Sequence, residues 1–198
     1  MSALSFIPLL VISLTSFTRI IVVLSLLRQA MGLQQTPPNS VLITLALFLS
    51  LFTMAPTITA IKTSAYDPYL HKQITFESAL AKGFLPLKDF MIRQTHEDDL
   101  AMILDVAKAP RPKSVEDIQP VQLIPAFMLS ELKTAFEIGF IIYLPFLLID
   151  LVVAAILMSL GMIMVPPTTI SLPLKIMLFV LINGWALVSR TLLESFRT

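Results

Sequence analysis

Cysteine is absent from the 198 residues, which excludes a disulfide framework, cysteine-ligated zinc and thiol catalysis. Charge is scarce as well. Asp, Glu, Lys and Arg make up 14% of the chain and the net charge is +1, against roughly 25% charged residues in an average soluble protein. With no Lys/Arg-rich run, nothing in the sequence offers nucleic acid a basic surface. Glycine is rare, 5 residues against 14 prolines, and no Gly-rich phosphate loop, nucleophile elbow or HExxH pattern occurs. The two histidines, His71 and His96, are far apart. His96 opens the run His-Glu-Asp-Asp, but without a second cluster to complement it this run predicts a solvated helix start, not a metal site. No catalytic residue, metal or cofactor is expected.

What the chain has is apolar sequence. Hydrophobic residues form 56% of it and the mean hydropathy is +0.85, the signature of an all-α, polytopic helical membrane protein. A first apolar segment runs from about Ala3 to Leu27, interrupted by Arg19. It has no basic region before it and no small-residue cleavage site after it, so a signal peptide is not expected within these residues. Pro37-Pro38 ends the following connector, and Asn39 or Ser40 is a suitable N-cap for a second segment, Val41–Ile61, which carries no charge. Prolines inside apolar stretches (Pro8, Pro56, Pro145, Pro173) are tolerable where neighbouring helices re-satisfy freed carbonyls, and Pro56 predicts a kink.

Composition changes abruptly at Lys62. Eight Lys/Arg and nine Asp/Glu fall between Lys62 and Pro120, the pattern of a small solvated helical region. Thr75 is placed to cap a helix that Gly83 can end. Leu87, Phe90 and Met91 form one stripe, and Thr95 with Asp98 reads as a capping box for a helix bearing Leu100, Ile103, Leu104 and Ala107. A proline-rich linker follows. Hydrophobicity returns at Val121 and continues to a turn at Pro166-Pro167, after which a last helix spans about Thr168 to Leu193. The organisation expected is two hydrophobic helical hairpins, 1–61 and 121–198, flanking a polar helical domain, 62–120. Arg28 favours a cytoplasmic first connector and hence an exoplasmic polar domain.

Arg19, Asp150 and Lys175 interrupt apolar runs, where a charge costs about 2.5–3.5 kcal/mol on insertion scales. Either they form a proton or ion relay, or they pair to fix helix packing and subunit assembly; a relay needs several aligned carboxylates, so packing is the reading these residues favour. In SELKTAFE, Glu131 and Lys133 are two apart and do not face each other, whereas Lys133 and Glu137 do at i, i+4. The methionines of GMIMVPP are either core filling or a soft, deformable seal.

Three long stretches, SFTRIIVVLSLLRQAMGLQQTPPN (Ser16–Asn39), LIPAFMLSELKTAFEIGFIIYLPFLLIDLVVAAILMSLGMIMVPP (Leu123–Pro167) and ISLPLKIMLFVLINGW (Ile170–Trp185), resemble the FliP/SctR family of the bacterial type III protein export apparatus. DFMIRQTHEDDLAMIL (Asp89–Leu104) is similar to its flagellar branch; the injectisome branch is the alternative, and a small-solute or ion transporter with Asp150 and Lys175 in a central site is the rival from another class. The resemblance implies a non-enzymatic inner-membrane subunit of the flagellar basal body, present in several copies with FliQ- and FliR-like subunits and served by FlhB- and FlhA-like export components. Together they would pass unfolded proteins, with the polar domain on the periplasmic side. It also implies a gasket at Met162, Ile163 and Met164, with Met158 nearby, and packing roles for Arg19, Glu131, Lys133, Glu137, Asp150 and Lys175. Two departures stand out. Ile163 occupies a position where relatives carry methionine, and Asn183 precedes Gly184-Trp185 where many carry Asp.

Overall fold

The computed structural model describes residues 12–108, 112, 114, 117–162 and 164–196. Every regular element among them is helical. The beginning of the first apolar segment, with Pro8, lies outside the described residues. Its remainder is not one helix. Residues 12–14 are helical, the chain then breaks at Thr15-Ser16, and helix α1 runs from Phe17 to Ala30. Hydroxyl groups compete with the helical ladder there. Thr15 Oγ1 accepts from the Phe17 N–H at 3.3 Å, and Thr18 Oγ1 donates to the Ile12 carbonyl at 2.7 Å.

Helix α2, Asn39–Ile61, is preceded by Pro38 at its cap. The expected Asn39 cap is not used, because Asn39 Oδ1 instead accepts a hydrogen bond from Arg28 Nη1 at 2.6 Å. The helix also does not stop where the apolar run does. It passes through a wider π-type turn at Lys62–Tyr66 into α3, Asp67–Leu70, giving 32 continuous residues, about 48 Å at 1.5 Å per residue. Helix α4, Phe76–Gln94, is capped by Thr75, whose Oγ1 accepts from the Ser78 N–H at 3.3 Å. Gly83 does not end it, for there α4 packs on Ala65 and Ile61 and tertiary contact overrides the local signal. Thr95 is likewise no cap; its hydroxyl donates to the Met91 carbonyl at 2.7 Å, and His96 takes the N-cap position of α5, Glu97–Val106, without a side-chain capping bond.

The longest element, α6, extends from Pro120 to Ser159. After the 160–166 turn, α7 covers Pro167–Leu181 and α8 covers Gly184–Glu194. The single last helix expected from the sequence is therefore broken. Asn183 takes a left-handed conformation, φ 51° and ψ 52°, and the two parts meet at 65°. By length and hydropathy, α2–α3 and α6 can each cross a membrane, and α7 with α8 form a third span if the bent pair is counted as one. The chain is a polytopic helical membrane protein.

Helix α1 is its axis. Ile20, Val23, Leu24 and Leu27 are wholly buried, against Leu42 and Ala46 of α2, Ala135 and Phe146 of α6, Phe179 of α7, and Val188 and Leu192 of α8. Gly139 sets the α1–α6 crossing, since an added Cβ would stand 2.3 Å from Leu26 Cδ1. A second core joins the polar region to the apolar helices. Phe90 and Met91 of α4 and Ile118 pack on Met54 of α2 and on Leu123 and Phe127 of α6, with the Phe90 and Phe127 rings edge-to-face at 6.0 Å.

Candidate functional site

Three arrangements stand out among the described residues, and the first two lie against the cores around α1 and α6. The first is centred on Arg19, one turn into α1 and 2% exposed. Glu131, wholly buried on α6, receives its guanidinium as a two-point pair: Nε donates to Oε2 at 3.1 Å and Nη2 donates to Oε1. Fork-on-fork geometry of this kind offsets the desolvation of two charges better than a single contact does.

The second lies across the other end of the bundle. Lys175 Nζ on α7 is 2.6 Å from Asp150 Oδ2 on α6. The same ammonium donates to the Ala30 carbonyl at the end of α1, 3.2 Å away, and Ser171 Oγ donates to Asp150 Oδ1 at 2.6 Å. Ser171 and Lys175 are four apart and so share one face of α7. The cation also meets the negative end of the α1 dipole, a favourable placement.

The third is the turn between α6 and α7. Helix α6 closes with two reversed hydrogen bonds, Gly161 N–H to the Met158 carbonyl at 3.1 Å and Met162 N–H to the Leu157 carbonyl at 2.9 Å. Such a closure needs a residue with positive φ just past the helix, and Gly161 supplies it at 72°. The fold thus projects Met158, Met162 and Met164 outward, Met164 at 96% exposure. Ile163 lies outside the described residues.

Of the remaining charges singled out from sequence, Lys133 and Glu137 stand exposed on α6, and among the described residues no ion pair joins them. Their expected i, i+4 pairing is corrected: on an exposed helix surface the gain is small against side-chain entropy. The His96 run is occupied with packing. Its backbone N–H donates to Ser130 Oγ at 3.0 Å, Ser130 donates to Asp99 Oδ2 at 2.6 Å, and His96 Nε2 lies 3.3 Å from Thr134 Oγ1.

A model of the FliP family matches residues 1–192. The chain belongs to the FliP family. It is 51% identical over 196 residues to the flagellar biosynthetic protein FliP of Pectobacterium carotovorum, covering 99% of this chain and 76% of that one. It is 50% identical over 189 residues to the Bacillus subtilis protein of the same name, covering 96% and 86%, and 51% identical over 199 residues to that of Aquifex aeolicus, covering 100% and 83%.

Several partners in this FliP-family chain escaped sequence reading. Gln94 and Ser195 meet Arg19 from 75 and 176 residues away, and no local pattern announces contacts of that separation. Ser171 could have been found, because a hydroxyl one turn before a buried lysine lies on the same helical face.

Proposed function

We propose that this chain is a non-enzymatic, pore-forming subunit of the flagellar type III protein export gate in the bacterial inner membrane. Several copies would assemble with FliQ- and FliR-like subunits, and the assembly would work with FlhB- and FlhA-like components to pass unfolded flagellar proteins. The polar region, residues 62–120, faces the periplasm in this reading. The observation that carries it is the α6–α7 turn. Three apolar methionine side chains, Met158, Met162 and Met164, stand exposed around the Gly161 helix closure, and the flexibility of methionine suits a deformable seal around a pore.

The charges support the same reading. Asp150 and Lys175 neutralise each other at 2.6 Å and tie α6 to α7 and α1, which favours packing over an open ion site. Meanwhile α2 and α6 leave long apolar faces uncovered, Phe48, Leu51 and Phe52 on one and Phe140, Leu148 and Leu151 on the other. Patches of this extent mark contact with lipid or with other subunits. Gentle purification from native membranes tests the assignment. FliQ- and FliR-like chains should co-purify in fixed ratio; a chain that purifies alone and moves small solutes after reconstitution would instead be a transporter.

A further inference from the structure

Arg19 does more than pair with Glu131. Its Nη2 also donates to Gln94 Oε1 at 3.1 Å, at the last residue of α4. Its Nη1 donates to the Ser195 carbonyl at 3.0 Å and to Ser195 Oγ at 3.1 Å, just beyond α8. The Phe196 ring lies under the guanidinium carbon, 3.9 Å from the ring centroid, a close cation–π contact. One buried cation therefore gathers the starts and ends of elements spread over 176 residues. Among the described residues, Phe196 is also the one side chain that packs on both cores. It forms the shared wall of two clefts against α2, of about 820 and 290 Å³. The larger is bordered by Phe52, Ala186 and Arg190, the smaller by Thr57, Phe90 and Gln94.

We propose that Ser195 and Phe196 are a latch: by docking on Arg19 they lock the end of α4 to the end of α8, and so tighten, at residues 90–96, the junction of the apolar helices and the polar region that the second core forms. The physical reason is the state of Arg19 without it. Nη1 would lose both acceptors and its aromatic cover, in a site where an unsatisfied charged donor is costly. Clefts on both sides of the ring give water a way in and give the guanidinium somewhere to turn. Turning breaks the Gln94 bond, so loosening at residue 196 is felt at residues 90–96. The order of synthesis follows from the same geometry, since this node cannot close before residue 196 has been made. The inference does not depend on the export role.

Hydrogen exchange on the full chain in lipid nanodiscs tests the latch. In Phe196→Ala, amides of residues 90–96 should exchange about tenfold faster. Phe196→Leu keeps apolar bulk but has no π face, and should show the same acceleration, while Phe196→Tyr should match the native protein. Faster exchange confined to residues 190–196, or a Phe196→Leu variant indistinguishable from native at residues 90–96, overturns the proposal. Should Phe196→Ala fail to fold, the Leu and Tyr variants decide between the same outcomes.

Discussion

Lys175 Nζ meets Asp150 Oδ2 at 2.6 Å, and the two are joined by Ser171 on one side and by the Ala30 carbonyl on the other. Both charges therefore have partners for packing three helices, and both leave one another stranded when removed singly. Lys175→Met should lower stability by about 2–3 kcal/mol, under the about 3–5 kcal/mol of a fully enclosed pair because Asp150 retains some exposure. Adding Asp150→Leu should recover most of the loss. Thermal unfolding in detergent measures both, and on native gels the proposed export complex should be lost in the single variant and restored in the double. A single variant that assembles normally but fails to secrete would point to a proton relay.

The α1–α6 crossing rests on a missing side chain. Gly139→Ala puts a methyl group on Leu26, and overpacking of this kind costs about 1–3 kcal/mol. Leu26→Ala alone should be destabilising too, yet in combination with Gly139→Ala it should relieve the overlap. A double-mutant cycle on unfolding midpoints should return a coupling energy of opposite sign to the single effects.

Ser130 is buried and serves two groups, accepting from the His96 N–H and donating to Asp99. Ser130→Ala leaves that N–H at the start of α5 without its acceptor. A loss of about 1–3 kcal/mol is expected, with the earliest proteolytic cleavage moving to the α4–α5 junction. Cleavage unchanged from native would mean that water replaces the hydroxyl there.

The helical membrane class, the Thr75 cap and the Phe90–Met91 stripe were legible in sequence, because each depends on composition, local periodicity or one capping side chain. The failures share a different cause. Gly83, Thr95 and Asn39 carry correct local signals that a partner elsewhere overrides: Ala65 packs on the first, the Met91 carbonyl claims the second, and Arg28 claims the third. The bend at Asn183 was passed over although Asn183-Gly184 carries a turn signal and asparagine takes the left-handed conformation more readily than other side chains; the apolar runs on both sides read as one helix. In the candidate site, the charges were visible as interruptions in apolar sequence. The pairing of Arg19 with Glu131 was not, since a separation of 112 residues leaves no trace in the helical period, and Asp150 and Lys175 were brought together only in the transporter reading.

The central claim is that the methionine turn seals a protein-conducting pore, and membrane conductance tests it most directly. Met162→Ala with Met164→Ala removes the flexible bulk but leaves Gly161 and the helix closure intact. The double variant, incorporated into complexes of native composition, should pass small ions or solutes that the native complex retains. Well-assembled double-variant complexes with unchanged conductance would contradict the account.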